Sequence, residues 1–280
     1  MMTGLIKIEL YKIFKKWRTY IGFIAIGLLV AIIQTAMYFE GQKSLDFMTR
    51  NLQDSFLFVG NLLNGFFISY LILNMLAVHI PFLITLVAGD LLAGESTAGT
   101  YRILLTRPVS RMQVLISKFI AGNIYTFSLI LWLAIVSLGV GAILFGFGEL
   151  IVINSSTVII FDRNDVLWRF ILAYGFAALG MSVVCSLAFF FSSLVENAIG
   201  PIVATMAVII VFVIVSAINI DVFSSIKPYL FTNYILSWRL IFSDPINTSK
   251  LLNAVLILLG HTVLLFGVTA FIFKRKDILS

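Results

Sequence analysis

The chain has 280 residues, of which 61% are apolar and 11% are charged. A soluble domain is nearer half apolar and a quarter charged, so lipid rather than water is the solvent that this composition suits. The formal net charge of +6 would suggest a nucleic-acid partner if the basic residues formed one soluble surface. They lie beside apolar runs instead, as topology signals do, and we expect no nucleic-acid partner.

The uncharged runs predict the membrane-spanning helices. A helix needs about 20 apolar residues to cross the hydrocarbon core of a bilayer. Runs of that length predict an all-α membrane protein with six transmembrane helices, near residues 19–39, 66–88, 119–147, 168–193, 198–219 and 251–273. We expect a single transmembrane domain over residues 1–280, with no soluble catalytic domain beside it.

The segment before the first run mixes apolar and basic residues at helical spacing. Leu5, Ile13 and Trp17 interleave with lysines such as Lys12. This pattern predicts an N-terminal amphipathic interfacial helix over residues 1–18 that lies on the inner leaflet. The alternative is a cytoplasmic extension of the first span.

The second apolar run, residues 55–89, is too long for one straight span. The polar Asn61 and Asn64 and the helix breaker Pro81 predict a short outer helix followed by a span over residues 66–88. The stretch 221–250 is aromatic and mildly polar, and it predicts short external interfacial helices.

The most informative segment is the cytoplasmic loop 90–118. Residues 94–100 have the glycine frame of a phosphate-binding loop but lack the lysine before the final threonine, which argues against nucleotide binding. Residues 100–105 predict a short helix parallel to the membrane. Ser110 followed by Gln113 predicts a capping box that opens the third span.

This loop resembles the corresponding loop of ABC-2 type permeases, the membrane subunits of ATP-binding-cassette exporters. The residues that carry the resemblance are Glu95, Gly99-Thr100, Leu104-Leu105, Pro108-Val109-Ser110-Arg111 and Lys118. The run from Glu95 to Arg102 is also similar to the coupling region of eukaryotic half-transporters with the same membrane fold. The resemblance implies an ABC-2 (type V exporter-like) transmembrane domain with a cytoplasmic coupling helix between spans 2 and 3.

The same resemblance implies a mechanism and partners. The chain would form the translocation path as a homodimer or with a related permease chain. Two copies of a separate cytoplasmic ATPase would bind ATP and Mg²⁺, so we expect no cofactor and no enzymatic activity in this chain. The residues expected to couple to the ATPase are Glu95, Gly99, Thr100, Tyr101, Arg102 and Leu105. Membrane lipid and a periplasmic or envelope accessory protein are the other expected partners.

Four polar residues within the apolar runs are candidates for the transport pathway: Asn64, Asn74, His79 and His261. Polar groups at depth in a bilayer are costly, so they are functional suspects. The alternative is that they only make hydrogen bonds between helices, which are common in membrane bundles. The two histidines would matter more if the fold brought them together.

The basic residues also predict orientation. One side of the predicted bundle carries 12 Lys and Arg residues and the other carries 7. The richer side is expected to face the cytoplasm, with both termini there, in the cytoplasmic membrane of a bacterium.

Two other functions remain open from the residues. The same fold could serve as a non-transporting membrane scaffold of an ATPase-driven envelope complex. An intramembrane enzyme that used His79 or His261 with a nearby serine is the third hypothesis, although no known motif marks such a pair.

Overall fold

The computed structural model describes residues 2–53, 61–97, 109–153, 157–218 and 220–275, except for the side chains of residues 48 and 51–53. Within those ranges, six helices are long and apolar enough to cross a membrane: Trp17–Phe47, Ile80–Thr97, Arg111–Phe145, Arg163–Leu194, Ile199–Ala217 and Thr248–Arg275. The predicted class, an all-α membrane protein with six spans, is confirmed.

Two consecutive helices form the N-terminal part. Helix α1 covers Met2–Lys15 and α2 covers Trp17–Gln53, with a kink at Lys16 between them. The apolar run that predicts the first span ends at residue 39, but α2 continues beyond it. Lys43 forms an ion pair with Glu40 at 2.8 Å, one turn away, which supports helix outside the apolar run.

The second span is divided into three helices. Helix α3 is Gly65–Leu76, α4 is Ile80–Ala88 and α5 is Asp90–Thr97. Asn64 begins α3, because its Oδ1 accepts hydrogen bonds from the amides of Phe66 and Phe67 at 3.1 Å. Pro81 lacks an amide hydrogen and so cannot continue the α3 hydrogen-bond ladder, which accounts for the break at residues 77–79.

The third span changes its helical pitch before the outer surface. Helix α6, Arg111–Ala134, begins at the predicted capping box. Ser110 Oγ accepts a hydrogen bond from the backbone N–H of Gln113, and Gln113 Oε1 accepts one from the backbone N–H of Ser110. A π-helical segment, Ile135–Val140, follows and leads into α7, Gly141–Phe145.

The π-helical segment coincides with a buried polar junction. The carbonyl oxygen of Ser137 accepts hydrogen bonds from Gln34 Nε2 of the first span at 3.0 Å and from Ser69 Oγ of the second at 2.9 Å. The Ser137 hydroxyl lies 2.7 Å from the hydroxyl of Tyr174 in the fourth span. The same carbonyl also accepts from the backbone amide of Gly141, so it is shared between its own helix and side chains of two neighbouring spans.

A β-hairpin that the sequence did not predict follows the third span. Strand β1, Leu150–Ile153, pairs antiparallel with β2, Val158–Phe161, with Leu150 opposite Phe161. Both strands are short runs of apolar and β-branched residues, which suit a half-buried sheet. Leu150 and Phe161 are buried, so the hairpin closes one end of the bundle.

Helix α8, Arg163–Leu194, is the centre of the bundle. It is buried along most of its length, whereas α9, Ile199–Ala217, and α12, Thr248–Arg275, expose apolar faces that suit lipid. Between α9 and α12 the chain forms short helices: α10 (Asp221–Ser224), a 3₁₀ turn (Lys227–Tyr229), α11 (Thr232–Ile235) and a 3₁₀ helix (Leu236–Phe242).

These short helices fold back onto α8. Trp238 and Phe242 are each 1% exposed, and their rings contact the aromatic residues of the bundle. Arg169 of α8 is also buried there. It donates to the carbonyl oxygen of Ile241 at 2.6 Å, and its guanidinium lies over the ring of Phe161 at 4.2 Å.

Candidate functional site

A buried carboxylate on α1 begins the candidate site. The side chain of Glu9 is only 6% exposed, and Ile13, one helical turn later, is 4% exposed. The side of α1 that carries these two residues packs against α6 at the start of the third span. A carboxylate buried in this way must be paired, because an isolated charge is strongly disfavoured away from water.

Lys118 of α6 supplies the opposite charge. Its Nζ lies 2.7 Å from Glu9 Oε2 and 2.9 Å from Glu95 Oε1, and its side chain is 1% exposed. Lys12 completes the group, with its Nζ 2.7 Å from Glu95 Oε1 and 3.2 Å from Glu9 Oε1. Two carboxylates and two ammonium groups therefore alternate with no net charge, and they join α1, α5 and α6.

The surroundings of Lys12 raise the pKa of its ammonium above the ordinary value of 10.5. Burial is the largest single influence and lowers this pKa, but the hydrogen bond to Glu95 and the charges of Glu9 and Glu95 together outweigh it. Lys12 therefore remains charged at neutral pH and keeps its place between the two carboxylates.

Asp90, the first residue of α5, forms a second ionic group. Its Oδ2 lies 2.6 Å from Lys16 Nζ and its Oδ1 lies 3.0 Å from Arg18 Nη1, and its side chain is 7% exposed. A carboxylate at a helix N-terminus is further stabilised by the helix dipole. Lys16 and Arg18 flank the start of α2, so Asp90 connects α5 to the first span.

Gly94 leaves room for this carboxylate. A Cβ atom at Gly94 would lie 2.7 Å from Asp90 Cγ, well inside van der Waals contact. In the sequence, Gly94 belongs to the glycine frame of residues 94–100. In the fold, it lets Asp90 sit against the helix and reach Lys16 and Arg18.

Ser192 of α8 holds the beginning of α5 from another span. Its Oγ accepts hydrogen bonds from the amides of Leu92 at 3.1 Å and Ala93 at 2.9 Å, and it donates to the carbonyl oxygen of Gly89 at 2.6 Å. Amides in the first turn of a helix have no partner within the helix, and a serine normally satisfies them from the residue just before it. Here the serine comes from the fourth span.

The end of α5 is held as well. Thr97 Oγ1 lies 2.5 Å from the carbonyl oxygen of Glu196, in the turn between the fourth and fifth spans. We use the name α5 clamp for the residues that hold this helix: Glu9, Lys12, Lys16, Arg18, Asp90, Glu95, Lys118 and Ser192.

A cavity of about 30 Å³ lies within the α5 clamp, lined by charged residues on α1, α5 and α6. Its volume suits about one or two water molecules. Among the residues that the structure describes, no group of three or more His, Cys, Asp or Glu side chains is placed to hold a metal ion. The α5 clamp joins α5 by ion pairs and hydrogen bonds to α1 and to the first, third and fourth spans.

Comparison with known protein families places this arrangement in context. A family model described as ABC-2 family transporter protein matches residues 4–278 of the chain. The chain belongs to the ABC-2 transporter family. The resemblance of loop 90–118 to ABC-2 permeases is thereby confirmed. ABC-2 permeases are membrane components of transporters and are not themselves enzymes.

A curated relative supports the family and leaves the function open. The protein described as "Uncharacterized protein YhcI" of Bacillus subtilis (strain 168) is 26% identical over 198 residues. The match covers 69% of this chain and 63% of YhcI, so it spans less than two thirds of that relative's length.

The coupling residues predicted from the ABC-2 resemblance fall in two groups. Glu95 lies in α5 and is a member of the α5 clamp, where it binds Lys12 and Lys118. The other predicted coupling residues lie outside the described residues: Gly99, Thr100, Tyr101, Arg102 and Leu105.

Of the four candidate pathway residues in this ABC-2 chain, the two asparagines both donate hydrogen bonds to backbone carbonyl groups. Asn64 is fully buried, caps α3 and donates to the carbonyl oxygen of Glu149 at 2.7 Å. Asn74 donates to the carbonyl oxygen of Tyr70 in its own helix at 2.8 Å. Asn64 therefore has a structural role at the start of α3.

The histidines also bond within their own helices. His79 Nδ1 lies 3.1 Å from the carbonyl oxygen of Met75, and His261 Nδ1 lies 2.8 Å from that of Ile257. Since a carbonyl only accepts, each Nδ1 carries the proton that it donates. His261 is partly buried against the ring of Phe231, whereas His79 is exposed at the break in the second span.

Sequence reasoning missed Glu9, Lys118 and Ser192. Glu9 gave a usable signal, because it is an acid at helical spacing from Ile13 on the apolar side of an amphipathic helix. Lys118 was noted as part of the ABC-2 loop pattern and counted as a topology signal, but its pairing with Glu9 and Glu95 was not predicted. Ser192 lies in a long apolar helix among other serines, and its sequence context carries no sign of the bond to Gly89.

Proposed function

We propose that this ABC-2 family member is the membrane-spanning permease subunit of an ATP-driven exporter. In this proposal it forms the translocation path as a dimer, and a separate cytoplasmic ATPase, present in two copies, binds ATP and Mg²⁺ and supplies the motion. The observation that supports it most is the α5 clamp, because it connects the helix that precedes the predicted coupling residues to the first, third and fourth spans.

The α5 clamp suits the transmission of force. Breaking a buried ion pair by removing one partner typically costs about 3–5 kcal/mol, so Glu95 and Lys118 are expected to move together rather than separate. A displacement that the ATPase applies at Tyr101 and Arg102 would reach α5 through the intervening chain. From α5 it would pass to α1, to α6 and, through Ser192, to α8.

His79 is the strongest candidate for the pathway. It lies near the middle of the second span, at the break between α3 and α4, and its neighbours Met75 and Val78 are 55% and 73% exposed. A polar imidazole is unfavourable against hydrocarbon at that depth. We therefore infer that the surface around His79 faces the second permease chain or the solute that passes between the two chains.

The orientation follows from the basic residues. The α5 clamp lies on the side that carries 12 Lys and Arg residues, and we propose that this side faces the cytoplasm of a bacterial cell. A reporter fused after Ser280 should be cytoplasmic and one inserted near Asp162 should be external. A cytoplasmic reporter near Asp162 would contradict the proposed topology.

The coupling role is tested by Tyr101→Ala with Arg102→Ala. We expect this double variant to reach the membrane normally but to lose both ATPase association and transport, because Tyr and Arg dominate binding hot spots, where truncation costs about 2 kcal/mol or more. The matched control is Tyr229→Ala with Arg239→Ala, which makes the same changes at exposed positions on the opposite side.

Three outcomes would contradict the proposal. A Tyr101→Ala, Arg102→Ala variant that assembles and transports like the parent would remove the coupling role. A native mass in detergent that corresponds to one membrane chain for two ATPase chains would remove the dimer. ATP hydrolysis by the purified chain alone would contradict the assignment of catalysis to a partner.

A further inference from the structure

Helix α1 has a second face whose chemistry differs from that of the α5 clamp. Glu9 and Ile13 are buried against α6, but Ile8 and Tyr11 are 43% and 67% exposed. Lys7 and Lys15 are exposed beside them. Spacings of three, four and seven residues place Ile8, Tyr11 and Lys15 on one side of a helix, and Lys15 Nζ lies 5.8 Å from the centre of the Tyr11 ring.

Exposed aromatic residues continue across the kink into the first span. Trp17 is 74% exposed and Tyr20 is 42% exposed, and their ring centres are 6.4 Å apart. Tyr and Trp are enriched where a spanning helix meets the lipid headgroups. We use the name basic-aromatic surface for Lys7, Ile8, Tyr11, Lys15, Trp17 and Tyr20.

The charge balance leaves this region positive. Glu9 and Glu95 are balanced by Lys12 and Lys118, which adds no net charge. Asp90 is shared by Lys16 and Arg18, whose side chains are 50% and 43% exposed, so that group carries one surplus positive charge.

Together with Lys7 and Lys15, this surplus gives three positive charges at the beginning of the first span. Each basic residue near an anionic leaflet strengthens binding by about fivefold. A zwitterionic headgroup offers no comparable net charge.

We propose that the basic-aromatic surface binds the headgroups of anionic phospholipids in the leaflet next to the α5 clamp. The lysines would bind the phosphates, while Tyr11, Trp17 and Tyr20 would lie among the headgroups and upper acyl chains. This goes beyond the proposed transport function, because it concerns the isolated chain and needs no ATPase. It also gives α1 a role as the point where lipid composition acts on α5, since the opposite face of the same helix carries Glu9.

Trp17 provides the measurement. The purified full-length chain is reconstituted into phosphatidylcholine vesicles that contain phosphatidylglycerol with brominated acyl chains, and in parallel into vesicles in which the phosphatidylcholine is brominated instead. The fluorescence of Trp17 is obtained by subtracting the spectrum of Trp17→Phe from that of the parent. The subtraction cancels the fluorescence of the other tryptophans. The ratio of the two quenching curves gives the preference for the anionic lipid.

We expect the parent to prefer phosphatidylglycerol, and Lys7→Gln with Lys15→Gln to lower that preference by about tenfold or more at low salt. The preference should also weaken at high salt, which screens exposed charges. Lys43→Gln with Lys250→Gln is the matched control, because it removes the same charge from exposed positions on the opposite side and should leave the preference unchanged.

The proposal is overturned if the parent shows no preference for phosphatidylglycerol or if Lys7→Gln with Lys15→Gln retains it. Equal losses in the two double variants would also overturn it, since the effect would then come from net charge rather than from this surface. If the variant Lys7→Gln with Lys15→Gln keeps the lipid preference but loses association with the ATPase, the surface binds protein instead. None of these outcomes bears on whether the chain transports a solute.

Discussion

The hydroxyl of Ser192 lies 2.6 Å from the carbonyl oxygen of Gly89, although the two residues are 103 positions apart in the chain. Gly89 lies where α4 ends and α5 begins, so the bond joins the fourth span to the junction of two helices of the second. A Cβ atom at Gly89 would also lie 3.1 Å from Pro201 Cβ, at the beginning of the fifth span. The entrance to α5 is therefore enclosed by two spans that follow it much later in the sequence.

Ser192→Ala should loosen the first turn of α5. The amides of Leu92 and Ala93 would lose their hydrogen bonds to Ser192 Oγ, and a buried hydrogen bond contributes about 1 kcal/mol, so we expect hydrogen exchange at these amides to accelerate by about fivefold. Exchange is measured by mass spectrometry on a peptide that covers α5. Ser186→Ala is the control, because Ser186 is equally buried on the same helix but bonds only its own helix at Ser182. Equal exchange in the two variants would contradict the role of Ser192.

Lys118→Met should destabilise the fold strongly. It would remove the positive charge that lies 2.7 Å from the buried carboxylate of Glu9, and an uncompensated buried charge typically costs about 3–5 kcal/mol. Adding Glu9→Gln removes the unpaired carboxylate, so the double variant should recover a large part of the loss. Thermal unfolding in detergent measures both variants. A double variant that is no more stable than Lys118→Met alone would show that packing, rather than charge, holds Lys118 in place.

The contribution of Lys12 to stability should depend on pH at the alkaline end. Its pKa is raised above 10.5 in the folded chain, so the stabilisation is fully present below pH 10.5 and is lost as the pH rises through the folded pKa. The difference in melting temperature between the parent and Lys12→Met should therefore be constant from neutral pH to about pH 10 and shrink above it. A difference that grows with alkaline pH would contradict the sign of the shift.

Gly65→Ala should strain the outer contact between the second and third spans. A Cβ atom at Gly65 would lie 2.6 Å from the carbonyl carbon of Gly141, and a backbone atom cannot move aside as a side-chain end can. Overpacking of this kind costs about 1–3 kcal/mol, measured by unfolding in detergent. Gly139→Ala is the control on the neighbouring π-helical segment, where a Cβ atom would meet nothing within 4 Å. Equal effects of the two variants would show that helix propensity alone is responsible.

Local patterns in the sequence predicted much of the fold. Uncharged runs predict spans because the cost of placing charge in lipid is decided residue by residue, and six such helices are present. The capping box of Ser110 and Gln113 was predicted for the same reason, since both partners lie within one turn. The sequence predicted one continuous span over residues 66–88. The structure breaks it at residues 77–79, just before Pro81, whose missing amide hydrogen was the local signal for this break.

The candidate site could be predicted only in part, because its bonds join distant positions. Glu95 was singled out from the family pattern, but its partner Lys118 is 23 positions away and Glu9 is 109 positions from Lys118. Such pairs depend on which helices become neighbours, and no local periodicity encodes that. The β-hairpin at Leu150–Ile153 was missed because its strands are four residues long, too short to distinguish from the end of an apolar run.

The π-helical segment Ile135–Val140 has a consequence for the angular phase of the third span. Gly122 and Gly141 are 19 positions apart, and at about 100° per residue an unbroken α-helix would turn the second about 100° away from the first. A π-segment takes up about one extra residue, which returns the phase to about five whole turns.

Both glycines accordingly face the second span. A Cβ atom at Gly122 would lie 2.7 Å from Leu91 Cδ1, and one at Gly141 would lie 3.2 Å from the carbonyl oxygen of Gly65. If residues 135–140 took the uniform pitch of an α-helix with no residue removed, the outer end of the span would rotate by about 100°, away from Gly65. The π-helical pitch therefore offsets one extra residue in the third span, and it keeps the two ends of one helix aligned with the same neighbour.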